Sequence, residues 1–286
     1  MIPTNDYIFK RIFGRIGNEN ITKNLLESVL ETKIKSVSLD TNPILEKNLN
    51  DDKFGILDVK VKLENNILCD IEVQVVPFFD LNKRLLFYWS KLYSSSIKSG
   101  EPYEKLKKSI IILFADFDFK KFENLKAIKR FHTKWKIKED KQPKYILTDE
   151  FEIHIVSLKL VEKLFKRVYN KNDIDENYKN LISWLKFIKK PDLLEVSDME
   201  NVDIKEAKKQ LDEISKEEYA QRLAEYRMKE LRDKKAIEQY GYHSGLDDGE
   251  KKAQIEIAKK MLKEKIDIKL ISKLTGLSET KIKKLK

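Results

Sequence analysis

The sequence predicts an α/β core followed by a helical C-terminal half, and the spacing of its apolar residues indicates this fold. Apolar residues in the first 31 positions recur every three or four residues, as in a helix, whereas those of residues 56–75 alternate with polar ones, as in strands. From about residue 160 onward the pattern is helical. A helix, a strand hairpin, a second helix and further strands in this order are typical of an α/β core.

The predicted elements rest on local signals. Gly14 and Gly17 interrupt the first helical region, Pro77 ends the hairpin, and Gly100 closes an aromatic-rich helix. A continuous apolar run after that helix predicts a strand buried on both faces. The core elements are therefore helix 5–31, strands 56–63 and 68–75, helix 79–98 and strands 109–114, 129–137 and 151–158, and the later helices are 160–169, 177–189, 203–240 and 250–264.

Composition excludes several classes of protein. Of the 286 residues, 41% are hydrophobic, too many for a disordered chain, and 8 Gly and 6 Pro are too few for collagen. The single cysteine, Cys69, cannot form an internal disulfide, which favours a reducing, cytoplasmic setting. The first residues lack the features of a signal peptide, and no run of 18 apolar residues occurs, so we expect neither secretion nor a membrane-spanning segment.

Net charge is concentrated at the C-terminus. The chain has 58 Lys and Arg against 48 Asp and Glu, and residues 251–286 hold 12 Lys against 4 acidic residues, which is +8 of the total of +10. A basic tail on a nearly neutral body suggests a polyanionic partner, nucleic acid first and an anionic membrane surface second. A lysine-rich, solvated helix face explains the charge equally well, so charge alone does not decide whether the tail binds a polyanion.

The register of the hairpin follows from the alternation of its side chains. Opposed residues of an antiparallel pair lie on the same face, so the apolar faces coincide only if the loop has an odd number of residues. A three-residue loop of Glu64, Asn65 and Asn66 meets this condition and places Asp58 opposite Glu72. A two-residue loop would turn a carboxylate toward the packed side.

Asp58, Glu72 and Gln74 share the polar face of this hairpin. Carboxylates directly opposed across two strands have Cβ atoms about 4.5 to 5.5 Å apart, close enough to share one divalent cation. Mg²⁺ prefers hard oxygen ligands and leaves positions for water and substrate phosphate, so this arrangement suits phosphodiester hydrolysis, with Gln74 orienting the water or contacting the phosphate. The alternative is a half-exposed hairpin whose polar face is simply in water.

Five linked motifs carry a family resemblance. They are Asn5 to Gly14, Ile56 to Lys60, Ile71 to Gln74, Lys83-Arg84 with Tyr88 to Tyr93, and Gly100 to Tyr103. Together they resemble the Rpn family of recombination-promoting nucleases and transposases, which belongs to the PD-(D/E)XK nuclease superfamily.

The resemblance implies a PD-(D/E)XK restriction-endonuclease-like core, in which helices flank a central mixed sheet, and Mg²⁺-dependent cleavage of DNA with Mn²⁺ as a substitute. Asp58 matches the metal-binding Asp, and Glu72 matches the second metal ligand. Gln74 stands where the superfamily more often has Lys, which departs from the superfamily's pattern but is the form typical of the Rpn family. This departure leaves open what neutralises the transition-state charge, and Lys60 and Arg84 are the candidates.

Basic and aromatic residues near the carboxylates are candidates for DNA contact. Arg84, Tyr88 and Lys91 fall on one stripe of the helix 79–98. The other interpretation is ordinary amphipathic packing with this stripe in solvent. The full set of candidates is Lys10, Lys53, Lys60, Arg84, Tyr88 and Lys91.

The basic tail resembles a helix-turn-helix. Residues 268–282 have an apolar helix, Gly276 at the turn, the N-capping Ser278 and the start of a second helix. A complete three-helix unit also needs residues 250–264. A small helical tail used for self-association is the rival interpretation, but motif and charge coincide, which favours nucleic acid over a membrane.

Other chemical candidates are weaker. His132, His154 and His243 show no metal-ligand spacing, Cys69 falls on an apolar strand face, and Asp116 is predicted to mark the exit of a buried strand.

We predict three parts: a nuclease-like core over 1–165, a helical extension over 166–249 and a helix-turn-helix-like tail over 250–286. The first functional hypothesis is a cytoplasmic, Mg²⁺-dependent DNA endonuclease that promotes recombination, with a homodimer as one way to cut both strands. The second is a DNA-binding or interaction protein that keeps the nuclease fold without cutting. A third, an oligomeric scaffold built on 203–240, lacks sustained heptads after Ile214.

Overall fold

The computed structural model describes residues 1–39, 59–77, 80–119, 129–162, 165 and 176–285. The elements in chain order are α1 (Asp6–Phe13), α2 (Glu19–Leu30), β1 (Val37–Leu39), β2 (Val59–Leu63), β3 (Leu68–Gln74), α3 (Leu81–Ser94), β4 (Ser109–Ala115), β5 (His132–Trp135), β6 (Phe151–Ser157), α4 (Leu158–Glu162), α5 (Glu176–Lys189), α6 (Val202–Ile214), α7 (Glu218–Lys263), α8 (Ile268–Thr275) and α9 (Glu279–Lys283).

The described strands form one mixed sheet in the order β1-β2-β3-β4-β6-β5. The first three strands are antiparallel neighbours, β3, β4 and β6 run parallel, and β5 closes one edge antiparallel to β6. β4 and β6 are buried along their whole length, as the continuous apolar run of β4 predicted. The predicted central mixed sheet is confirmed.

The hairpin of β2 and β3 has the register that alternation predicted. Val59 pairs with Ile71 and Val61 with Cys69, and the Leu63 amide donates to the Ile67 carbonyl at 2.8 Å. The loop Glu64–Asn66 is a tight turn in which both asparagines have a φ of 59°. Asparagine tolerates this left-handed conformation better than most residues, which suits it to the loop.

Helices cover both faces of the sheet. On the first, which we call the α1 face, α1, α2, α5 and α6 enclose side chains such as Ile71 and Ile112. On the second, the α3 face, α3 packs over Ile111 and Leu113. Because successive strand residues point to opposite faces, odd-numbered residues of β3 lie on the α1 face and even-numbered ones on the α3 face.

The first predicted helix is two helices, broken where Gly14 and Gly17 indicated. Gly14 ends α1, and polar side chains satisfy the carbonyls that this end leaves without helical partners. Asn18 Nδ2 donates to the Ile12 carbonyl at 2.7 Å, and Thr22 Oγ1 donates to the Phe13 carbonyl at 2.6 Å.

The later helices differ in extent from their predictions. The predicted helix 203–240 is interrupted after Ile214, the last buried apolar residue of α6, and α7 then continues without a break to Lys263. Three glycines in α7 do not end it, since an isolated glycine costs a helix only about 1 kcal/mol.

α5 and α6 share a core with the sheet. Trp184 on α5 is fully buried, with its ring 5.7 Å from that of Phe13 on α1, and its Nε1 donates to Asn24 Oδ1 on α2 at 2.8 Å. The chain divides into compact units of 1–228 and 229–286. The three-part division drawn from the sequence stays a prediction.

The second unit has a small core of its own. Ala258 at the end of α7 is buried together with Ile271, Leu277 and Ile282 of the α8 and α9 region. Gly276 ends α8 with a φ of 71°, and Ser278 caps α9. The third helix required by the helix-turn-helix thus comes from the end of α7. Within the described residues, no helix is long and apolar enough to span a membrane.

Candidate active site

Glu72 and Gln74 lie side by side on the α3 face of the central strand β3. Their cross-strand neighbours on β4 are Leu113 and Ala115, which belong to the cluster beneath α3. Both polar side chains are half-buried, whereas β4 is fully buried. The structure therefore places two of the three predicted site residues on one partly accessible surface.

Asp58 and Lys53 lie outside the described residues. The observed register ends with Val59 opposite Ile71. The opposition of Asp58 and Glu72 therefore stays a prediction.

A buried carboxylate, Asp70, adjoins this pair on the α3 face. It lies two residues before Glu72, is fully buried, and is directly opposite the exposed Lys60 of β2. Asp70 follows the same alternation along the sequence as Glu72 and Gln74 but was not predicted as a site residue. The cross-strand position brings the Lys60 side chain, a predicted source of positive charge, to the same face as Glu72.

The orientation of the Gln74 amide is fixed by a local hydrogen bond. Its Nε2 donates to the Val76 carbonyl at 3.1 Å. Because a carbonyl oxygen only accepts, the amide nitrogen must be the atom that faces it. The Gln74 Oε1 is then the atom placed to accept a hydrogen bond from water or to bind a hard cation.

The helix α3 covers this face, but Tyr88, which was expected on the exposed stripe that contacts DNA, lies on its buried side. Tyr88 is buried together with Leu81, Leu85 and Leu92, because its position fits the apolar 4-3-4 spacing as well as the polar stripe. Arg84 lies over the Tyr88 ring and donates to its hydroxyl at 3.0 Å. Arg84 is half-buried.

The other predicted contact residues are spread more widely. Lys91 is exposed on α3, and Lys60 is exposed on β2. Lys10 is half-buried on α1, whose apolar residues pack on the opposite face of the sheet. The structure thus groups Lys60, Glu72 and Gln74 on the α3 face, with Arg84, Tyr88 and Lys91 on the helix above it.

Asp116 marks the exit of β4, as predicted. Both of its carboxylate oxygens lie 2.7 Å from Lys189 Nζ, and Lys159 Nζ is 3.9 Å away. This ion pair ties the end of the strand to α5.

Sequence reasoning missed a chain of polar side chains on the α1 face. His154 Nε2 lies 2.8 Å from Glu152 Oε1, and His154 Nδ1 lies 2.8 Å from His132 Nε2. Glu152 and His154 alternate with apolar residues along β6, a pattern that places them on one face. That alternation was the available signal, and the pairing of β5 with β6 supplies the rest.

The donors on the α3 face of β3 are suited to a hard cation. Glu72 and Gln74 offer a carboxylate and an amide oxygen, and Cys69 points to the opposite face. Mg²⁺ takes oxygen ligands of this type and needs only one or two carboxylates from the protein. Among the described residues no group of three metal-ligating side chains occurs.

Comparison of the chain with protein-family models identifies its family. A model described as "PD-(D/E)XK nuclease family transposase" matches residues 3–241. The chain belongs to this family. As a PD-(D/E)XK family protein it has the restriction-endonuclease-like core that the sequence implied, and nucleases of this kind generally use divalent metals.

The tail of this PD-(D/E)XK family protein matches a second model, described as "Rpn/YhgA-like nuclease family, C-terminal HTH domain", over residues 251–286. This match confirms the Rpn resemblance and the helix-turn-helix, which indicates DNA binding. Comparisons with curated proteins and with solved structures found no match.

Proposed function

We propose that the protein is a Mg²⁺-dependent DNA endonuclease whose reaction takes place on the α3 face of the hairpin β2–β3. The observation that carries the proposal is the half-buried pair Glu72 and Gln74 on one face of the central strand, in a chain of the PD-(D/E)XK family. A half-buried carboxylate and amide oxygen beside accessible surface are more typical of a site that binds a cation and a phosphate than of side chains that only pack.

Asp58 and Glu72 would hold the ion, with Mn²⁺ as a substitute. When bound, such an ion supplies Lewis-acid stabilisation of the phosphoryl charge and activates water for attack. Gln74 Oε1 would accept a hydrogen bond from the attacking water and so orient it, because the amide nitrogen is engaged by Val76.

Positive charge for the transition state would come from Lys60 or Arg84. Lys60 is exposed directly across from Asp70, and Arg84 lies on the helix that covers the face. Either cation can offset charge that develops on the phosphate, the task that a strand Lys performs more often in the superfamily.

The helix-turn-helix tail would supply affinity for DNA. Its lysines neutralise phosphates and release counterions, so binding should weaken steeply with salt. We further propose a cytoplasmic protein that breaks DNA and thereby promotes recombination, with a homodimer placing one site on each strand.

The second candidate function is DNA binding without cleavage. The observation that favours it is Gln74, a neutral residue at the position of the superfamily Lys. A protein with this substitution can keep the fold and the tail while losing the charge that cleavage needs.

Nicking of supercoiled plasmid separates the two candidates. We expect the purified protein to convert supercoiled DNA to open-circle DNA with Mg²⁺ or Mn²⁺ and to lose this activity in EDTA. Low salt keeps binding from limiting the rate. DNA binding without nicking in either metal would favour the second candidate.

A further inference from the structure

A cavity lies on the α1 face, at the edge of the sheet that β5 forms. Its volume is about 710 Å³, and it is lined by the end of α2, by the segment that enters β5, and by β5 and β6. Small-molecule sites in proteins are typically about 300 to 1,000 Å³. Glu72 and Gln74 point to the other face of the sheet, so this cavity is separate from the candidate active site.

The charges around this cavity favour an anion. Lys129 and Arg130 are exposed at its rim, and among the described residues no carboxylate pairs with either of them. Glu31 is the only carboxylate among the described lining residues. Arginine presents a planar fork of donors that matches phosphate oxygens, and lysine adds a compact positive charge.

A buried network of charged side chains adjoins the cavity through Lys134 and His154, which line it. Glu152, which is almost completely buried, accepts from Lys108 Nζ and Lys134 Nζ at 2.9 Å each as well as from His154. Burial raises the pKa of Glu152, but the three hydrogen bonds outweigh burial and hold it well below its usual range. Glu152 is therefore ionised at neutral pH, and its charge is already balanced by its own partners.

This network determines which hydrogen atoms the two histidines carry. Glu152 only accepts, so His154 carries hydrogen on Nε2. A neutral His154 then accepts at Nδ1 from His132 Nε2, which leaves His132 Nδ1 as an acceptor. The neutral His132 can therefore accept a hydrogen bond at Nδ1 from the hydroxyl of a singly protonated phosphate monoester, whereas a phosphodiester carries no such hydroxyl.

We propose that this cavity binds a nucleotide-sized phosphate ester, with Lys129 and Arg130 contacting the phosphate and His132 Nδ1 as its directional partner. The source of the phosphate is a free nucleotide or the backbone of DNA. The cavity volume and the acceptor at His132 Nδ1 favour the free nucleotide over an extended backbone.

Imidazole NMR tests this proposal without metal and without cleavage. The chain contains three histidines, and His243, which belongs to the unit 229–286, serves as an internal reference. Adding deoxyadenosine monophosphate to the full-length protein should shift the ring ¹⁵N signals of His132 and His154 and leave those of His243 unchanged. Inorganic phosphate should shift the same signals with weaker affinity.

A matched pair of variants links the binding to the cavity. Arg130→Gln should weaken deoxyadenosine monophosphate binding by about tenfold or more, the effect of losing a charged hydrogen bond. Lys141→Gln, which removes the same charge from an exposed loop outside the cavity, should leave binding unchanged. Arg130 is exposed, so the fold should tolerate its substitution.

Three outcomes would overturn the proposal. One is the absence of any shift with deoxyadenosine monophosphate. Another is equal affinity in Arg130→Gln and wild type. The third is a shift of His132 and His154 by duplex DNA but not by the nucleotide, which would assign the surface to a DNA backbone. Because cleavage is not measured, failure here is separate from failure of the nuclease proposal.

Discussion

His132 Nε2 lies 2.8 Å from His154 Nδ1, across the pairing of β5 with β6. The two rings stack with centroids 5.1 Å apart. His154 is almost completely buried, and His132 is half-buried. Because a buried imidazole resists protonation, this contact makes the stability of the fold depend on pH.

We expect the free energy of unfolding to fall as the pH drops from about 6.5 to about 4. Burial, followed by repulsion from His154 and Lys134, lowers the pKa of His132 from 6.5 to about 4. Between these values the unfolded chain binds a proton that the folded chain does not, so the stability contributed by neutral His132 is present above pH 6.5 and lost toward pH 4. Urea unfolding of wild type and of His132→Gln at several pH values measures this effect.

Between pH 6.5 and pH 4, the free energy of unfolding should fall less for the variant His132→Gln than for wild type. His243→Gln, which changes a histidine of the unit 229–286, should behave as wild type does. Equal pH dependence in wild type and His132→Gln would contradict the assignment.

Glu152→Gln should destabilise the fold by about 3 kcal/mol, the lower end of the range for breaking a buried ion pair. The substitution leaves Lys108, Lys134 and His154 facing a neutral amide that accepts fewer hydrogen bonds. The value is at the lower end because both lysines reach solvent. Urea unfolding at neutral pH measures it. Glu101→Gln, which breaks the exposed pair with Lys105, serves as the control and should unfold close to wild type.

Gln74→Ala should lower the rate of DNA cleavage by about a hundredfold, the effect of losing one well-placed polar group. The amide orients the water, so DNA affinity should not change. Gln74→Lys, which introduces the superfamily residue, should retain more activity than Gln74→Ala. Single-turnover cleavage with bound DNA measures the three rates. Wild-type cleavage by Gln74→Ala would exclude a catalytic role for this side chain.

Two lysines of α9 should carry part of the salt dependence of DNA binding. Replacing Lys281 and Lys283, both exposed, with Gln should lower affinity and reduce the slope of log K against log salt by about 1 for each phosphate that is no longer neutralised. The matched control is the double replacement of Lys98 and Lys144 with Gln, exposed lysines of the first unit. Equal slopes for both double variants would mean that α9 does not bind phosphate.

Local patterns were sufficient to predict the hairpin. The alternation of apolar and polar residues in β2 and β3, together with the odd number of loop residues, predicted the observed pairing of Val59 with Ile71. The same alternation placed Glu72 and Gln74 on one face. These features depend on neighbours within about a dozen residues, so the sequence contains them directly. The five motifs between Asn5 and Tyr103 also led to the correct family.

Features that depend on distant pairing were not predicted. Nothing local shows that His132 meets His154, 22 residues away, or that Lys108 reaches Glu152, because strand order decides both. Tyr88 illustrates a second limit: its position belongs to two helix stripes, and only packing against the sheet selects the buried one.

The most direct test of the account compares three carboxyl-to-amide variants in plasmid cleavage with Mg²⁺. Asp58→Asn and Glu72→Gln should bind DNA as wild type does but cleave no faster than wild type in EDTA, because each loses a ligand of the cation. Glu104→Gln, an exposed residue away from the hairpin, should cleave normally. Cleavage by Asp58→Asn or Glu72→Gln at the rate of Glu104→Gln would contradict the central claim that these two carboxylates form the metal site.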